Sequence, residues 1–195
     1  IEDRLRTRFG GGLIADIQGR ASHKIVEEGL RIVTNLSHRG ACGCDARTGD
    51  GAGILIQIPD AFFRHECASG RQIDGDRGFD LPPLGEYGVG VVFLPQIPTD
   101  RHFCQGLFEE IIAEEGLELL GWRTVPVEDR VIGEFAIDLQ PRIKQIFIGL
   151  GARKVDRDAL ERKLYVVRKR VQAEVRRQLE RACHYFYVAS LSTRT

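Results

Sequence analysis

Apolar residues recur along this chain in two rhythms, and the changes between them mark out the elements. Phe9 to Gln18 combines a glycine-rich entry with apolar positions suited to a strand, and glycines weaken a strand unless backbone must pass close to something. From Ser22, a plausible N-cap, the apolar positions Ile25, Gly29, Ile32, Leu36 and Val26, Leu30, Val33 fall three and four apart, which predicts a helix burying one face. The loop His38 to Ala52, rich in glycine and aspartate, leads to a mostly apolar strand over Gly53–Pro59. Asp60 is then placed to cap a short helix carrying Phe62 and Phe63, and the polar stretch Cys67 to Pro83 reads as an exposed loop.

The second half repeats this grammar more clearly. Tyr87 to Leu94 is a buried strand ended by Pro95. Thr99 is placed to cap a helix whose inner side holds Phe103, Leu107, Phe108, Ile111 and Ile112, with Gly116 as the stop. Strands follow over Leu117–Val125 and Ile143–Gly149, then a helix from about Asp156 to Ala182, and a last strand over Tyr185–Leu191. Strands grouped between helices predict layered sheets covered by helices. No fixed-period repeat and no Pro/Gly/Ser-rich linker divides the chain, so a single domain is expected.

Composition narrows the class. Lys+Arg and Asp+Glu both total 28, so no net field recruits nucleic acid or an anionic membrane to the whole molecule, and no apolar run approaches the length of a span. Five scattered cysteines without a secretory leader fit a reducing compartment, with the cytoplasm expected. There is no methionine, even at the start, and Val188–Thr195 reads as a strand without a terminus, so the expectation is an internal piece of a longer polypeptide.

The string His38-Arg-Gly-Ala-Cys-Gly-Cys-Asp45, followed by Thr48-Gly-Asp-Gly-Ala-Gly-Ile-Leu-Ile-Gln-Ile-Pro59, resembles the amino-terminal glutaminase domain of the glutamate synthase large subunit. Gly10–Ala15, Ser22–Val26, Glu118–Pro126, Glu161–Arg170 and Phe186–Thr195 resemble the same family in the same order. The resemblance implies an α+β fold of the N-terminal-nucleophile (Ntn) hydrolase type, an αββα four-layer sandwich, here a partial domain over 9–195 behind a lead-in, residues 1–8. It also implies a class II glutamine amidotransferase that hydrolyses glutamine to glutamate and ammonia for amination of 2-oxoglutarate elsewhere in the parent. Such a parent carries FMN and an iron–sulfur cluster and takes electrons from NADPH or ferredoxin. No cofactor is expected on this chain. The implied partners are glutamine, the synthase domain of the same polypeptide and a small flavoprotein subunit, with neither nucleic acid nor membrane.

In that family a first-residue cysteine attacks the glutamine amide while its own α-amine serves as base. The pattern Cys-Gly-x-Gly-Phe falls on Phe9-Gly-Gly-Gly-Leu13, which puts a benzyl group where the sulfur belongs and, with residues 1–8 ahead of it, an amide in place of the amine. The family's glutamine-binding arginine, Asn-Gly oxyanion pair and substrate-binding aspartate fall beyond Thr195. The chain is therefore expected to be inactive, and a non-catalytic amidotransferase-like binding or regulatory module is the alternative. Gly10, Arg39, Gly40, Asp50 and Gly51 are the residues the resemblance places in support of the site. Arg39 either braces the active-site loop with its guanidinium fork or ties that loop to a carboxylate such as Asp50.

Three further features have plainer readings. Cys42, Cys44 and His38 offer zinc-type ligands, but the paired cysteines are too close and no second pair exists, so no metal site is expected. Gly49–Gly53 precedes a strand and lacks the Lys-Ser/Thr of a phosphate-cradling loop. Between Arg153 and Arg181 eleven basic residues face five acidic ones opposite an apolar stripe, Leu160, Leu164, Val167, Val171, Val175 and Leu179. A solvated face, a docking face for another domain, and a nucleic-acid surface are the readings open to it. His23, His65, His102 and His184 read as structural or exposed, and Trp122 either packs a strand end or lines a substrate entrance.

Overall fold

Alternation along Tyr87–Leu94 sends Val92 and Leu94 to one side of the strand and Tyr87 and Val89 to the other, and both sides are buried. A strand of this kind must lie inside a sheet, between two covered faces. The computed structural model, which describes residues 10–36, 48, 51–75, 77–151, 156–179 and 185–195, shows that sheet. Its four antiparallel strands are β1 (Tyr87–Leu94), β2 (Glu118–Thr124), β3 (Arg142–Gly149) and β4 (Tyr187–Ser192), in the spatial order β2-β3-β1-β4. The helices are α1 (His23–Asn35), α2 (Asp60–Ala68), α3 (Pro98–Glu114), α4 (Glu134–Ile137) and α5 (Arg157–Gln178).

The described chain divides into two compact units. One comprises Gln57–Val127 with Leu139–Thr195 and holds the sheet, α2, α3 and α5; the other comprises Ile1–Ile56 with Glu128–Asp138 and holds α1 and α4.

In the sheet unit, α3 and α5 lie together on one face. Val92, Leu94, Ile146, Ile148 and Val188 from the strands meet Phe108, Ile111 and Ile112 of α3 and Leu160, Leu164, Val167, Val171 and Val175 of α5. Gly88 explains how closely α5 approaches: a Cβ there would stand 2.3 Å from Leu164 Cδ1. The strand gives up a side chain so that a helix residue can occupy its place. The C-terminal end of α3 is also stitched by charge to the middle of α5, since Arg170 donates to Glu114 and Glu115 and Lys163 donates to the Glu115 carbonyl. The opposite face of the sheet is covered in part by Phe63 and Cys67 of α2 with Leu81 and Phe79, which pack on Tyr87, Val89 and Phe147. Further along that face Val91 and Phe93 are half-buried and Tyr187 is exposed.

Capping chemistry sets several boundaries. The Asp156 carboxylate accepts from Ala159 N at 2.7 Å and starts α5. Gly116, at φ 71°, turns the chain out of α3. Pro98 opens α3 at its first position, so Thr99 lies inside the helix and does not cap it. Asp60 likewise is the first residue of α2, not its cap, because its carboxylate is taken by Arg64 and Tyr87.

Two strands expected from sequence are absent. Residues 10–18 and 53–59 form no ladder among the described residues; Ile54 and Leu55 are exposed, and Ile58 N donates to Arg194 O at 3.1 Å. An apolar run becomes a strand only where a partner accepts its hydrogen bonds. The short turn Asp129–Val131 and α4 carry too few residues for any periodicity to show.

If the Gly88 notch seats Leu164, Leu164→Ala should destabilise the protein by about 2–5 kcal/mol. Gly88→Ala should also destabilise the wild type, yet be close to neutral in the Leu164→Ala background; urea unfolding of the four proteins measures this coupling.

Candidate functional site

Most of the residues that the resemblance singles out, Phe9, Arg39, Gly40 and Asp50, lie outside the described residues, as do His38, Cys42 and Cys44. Gly10 and Gly51 are described and exposed, and the segments they open converge on α1. A Cβ at Gly12 would come within 2.8 Å of Ile32 Cγ2, so the absence of a side chain lets the 10–14 backbone lie against the helix. Three residues earlier on the same stripe, a Cβ at Gly29 would stand 4.0 Å from Ile54 Cγ2, an ordinary contact with the segment that Gly51 begins. Gly29 and Ile32 of α1 thus lie against the segment that Gly51 begins and the 10–14 segment, respectively. Ser22 stands at the N-cap position of α1 but its side chain makes no capping bond.

Among the described residues the sulfur chemistry is inert. Cys67 and Cys104 are free, fully buried thiols. Burial pushes Cys67 up to about 11, against a lowering by the Arg123 charge, and pushes Cys104 up to about 12. Neither supplies a thiolate near neutrality.

Three of the polar clusters among the described residues of the sheet unit lie on or beside its sheet faces. On the α2 face, Arg123 is 5% exposed and donates to Glu66 Oε2 at 2.6 Å and to its cross-strand partner Gln145 at 3.0 Å, with its guanidinium 5.4 Å from the Phe62 ring centroid. Beside it, Arg64 spans the Asp60 carboxylate and the carbonyls of Leu81 and Pro82, while Tyr87 Oη donates to Asp60 Oδ1 at 2.7 Å. The Arg64 bonds hold the Asp60 carboxyl below the usual carboxylate range; burial, then the bond to Asp60, push the Tyr87 phenol up. On the other side of the sheet, Lys144 donates to both Asp74 oxygens, at 2.7 and 2.5 Å, and Gln105 of α3 donates to Asp74 Oδ2 at 3.0 Å. These three residues line a cleft of about 730 Å³ whose floor includes Gly121 and Trp122. Trp122 packs edge-on against Phe108 at 5.3 Å, which accounts for its burial.

Comparison with known proteins decides the family. Residues 9–195 match the family described as glutamine amidotransferases class-II. The chain belongs to that family. It is 44% identical over 189 residues to the glutamate synthase [NADPH] large chain of Bacillus subtilis, covering 95% of this chain and 11% of that protein. It is 35% identical to ferredoxin-dependent glutamate synthase 2 of Synechocystis, covering 97% of this chain and 11% of the relative, and 34% identical to glutamate synthase [NADH] of Schizosaccharomyces pombe, covering 95% and 8%. The chain thus spans about a tenth of the length of these relatives.

For a class-II amidotransferase the structure shows an α+β unit with a four-stranded antiparallel sheet. No group of three or more His, Cys, Asp or Glu side chains suited to a metal ion occurs among the described residues, and the two described cysteines are buried singly, so these residues do not fit an iron–sulfur cluster. No helix among them is long and apolar enough to cross a membrane. The basic helix α5 turns Leu160, Leu164, Val167, Val171 and Val175 inward, and part of its charge is spent on neighbours: Arg170 on Glu114 and Glu115, and Arg177 on Glu174.

The Asp60–Tyr87 pair gives the stability of the sheet unit two pH limbs. Asp60, with its value lowered on folding, contributes stability above about pH 4 that is lost as the pH falls through its folded value; Tyr87, raised on folding, contributes stability below about pH 10 that is lost as the pH climbs toward its folded value. Tyr87→Phe should therefore lower stability at neutral pH by about 1 kcal/mol and flatten the decline above about pH 10, read from urea midpoints across pH. A decline equally steep in both proteins would contradict this role.

Proposed function

We propose that this chain is part of the glutaminase domain of a glutamate synthase large subunit, folded as an Ntn-type αββα sandwich, which in a competent parent would hydrolyse glutamine and pass the ammonia to 2-oxoglutarate. The single observation that carries the reading is the class-II amidotransferase match over 9–195 together with glutamate synthase relatives across at least 95% of the chain. The half-covered sheet face, with Val91 and Phe93 half-buried and Tyr187 exposed, supports it as well: it is a surface on which a second sheet would pack. The synthase domain of the same polypeptide is the partner in cis, and a small flavoprotein subunit is a further partner of the parent. FMN and the iron–sulfur cluster belong to that part of the parent, and the cytoplasm is its compartment.

Hydrolysis through a thioester needs a nucleophile, a base and donors for the oxyanion. Phe9, at the aligned nucleophile position, has no lone pair with which to form the carbon–sulfur bond, and its backbone nitrogen is an amide. The buried, protonated thiols of Cys67 and Cys104 offer no replacement. We assign Gly10, Arg39, Gly40, Asp50 and Gly51 to support of that position, Arg39 either bracing the active-site loop or tying it to a carboxylate such as Asp50.

Phe9 also favours one other reading, a non-catalytic module that keeps the fold and binds or regulates without hydrolysis. The purified chain should release no glutamate from glutamine above background. Release at a measurable rate would overturn the assignment of Phe9 to the nucleophile position; saturable glutamine binding without release would favour the non-catalytic module.

A further inference from the structure

The Asp74–Lys144–Gln105 cleft has no part in glutamine hydrolysis as proposed above, and its construction calls for an explanation of its own. Three residues from distant stretches of chain meet there: Asp74 from the loop after α2, Gln105 from α3 and Lys144 from β3. Gln105 is 8% exposed and the Lys144 side chain 12%, so the cluster is held in place and not trailing in solvent. On the α3 wall, Arg101 is fixed by donation to the carbonyl oxygens of Pro95 and Gln96, and Glu109 is exposed two turns further along. The lining therefore carries two cations, Arg101 and Lys144, two carboxylates, Asp74 and Glu109, and the His102 imidazole.

Gly106 lies on the same wall, in the interior of α3. A glycine there weakens the helix. At Gly88 a neighbour forces the glycine, whereas a Cβ at Gly106, as at Gly11, Gly51 and Gly53, would meet nothing within 4 Å. Packing among the described residues gives no reason for a glycine inside this helix. The space it leaves opens into the cleft.

We propose that this cleft is a binding site for a free α-amino acid in its zwitterionic form. With Lys144 and Asp74 compensating each other, Arg101 and Glu109 are the wall charges left for a ligand, and their opposite signs match one that is neutral overall yet charged at both ends; a simple anion or cation would answer only one of them. Two of the three Lys144 protons are used on Asp74, and the third, with Arg101, is available for the ligand carboxylate. Glu109 and the Gln105 side-chain oxygen accept from the ammonium group. The Gly106 gap receives the ligand's α-carbon and side chain. The site is distinct in sequence from the Phe9, Arg39 and Gly51 segments, so this inference goes beyond the glutaminase reading and does not depend on it.

L-Alanine tests it, because it has the zwitterion but no side-chain amide for a glutaminase centre to recognise. Titrated into the isotope-labelled full chain, it should give saturable amide shifts centred on Gly75, Gln105, Gly106 and Lys144, while sodium acetate and methylammonium chloride at equal concentration should not. Gly106→Leu, which fills the gap, should abolish those shifts without lowering the melting temperature. Glu109→Gln should weaken L-alanine binding about tenfold. No saturable shift with L-alanine, equal response to acetate, or undiminished binding by folded Gly106→Leu protein would each overturn the proposal.

Discussion

The sheet unit depends on one steric exchange: β1 gives up a side chain at Gly88 and Leu164 of α5 fills the space. That exchange brings the helix close enough for Val167, Val171 and Val175 to be fully buried over the sheet, beside Phe108, Ile111 and Ile112 of α3. Dispersion and hydrophobic burial both fall steeply with separation, so a bulkier strand at this point would loosen every contact along the helix. The charge contacts between Arg170, Lys163 and the end of α3 then fix the two helices to each other, a modest gain at the surface that follows from the packing and does not drive it.

The same economy of side chains recurs in the unit that carries the candidate site. Gly12 lets the 10–14 backbone lie on Ile32, and Gly29 faces Ile54, so two glycines on or against α1 set where the segments of Gly10 and Gly51 run. This arrangement lies at the start of the class-II amidotransferase match, residues 9–195, and on the reading proposed above Phe9 stands at that family's nucleophile position. The two described thiols, Cys67 and Cys104, are shielded and protonated.

Where periodicity was long and caps were strong, the sequence could be read directly. The Asp156 cap and the apolar stripe from Leu160 to Val175 place α5, and alternation from Tyr87 to Leu94 places β1. The misreadings share a physical cause, competition for the same group. Asp60 is the right residue type for a cap, yet Arg64 and Tyr87, the latter far away in sequence, claim its carboxylate; Thr99 gives way to Pro98 because proline is already suited to the first helical position. Residues 10–18 and 53–59 have strand-like composition, but a ladder also needs a partner, which local pattern does not encode. As for the site, the glycine-rich motifs were legible as a family pattern, whereas the Asp74–Lys144–Gln105 cluster was not, because its members are far apart in the chain and none belongs to a motif.

The central claim is that a chain of amidotransferase ancestry has lost its nucleophile at position 9. Incubating the protein with an electrophilic glutamine analogue and measuring its intact mass tests this most directly. The account predicts an unmodified mass at saturating reagent. A stoichiometric adduct mapped to any residue, Cys42 and Cys44 included, would contradict it, because it would show that the chain still presents a nucleophile to bound glutamine.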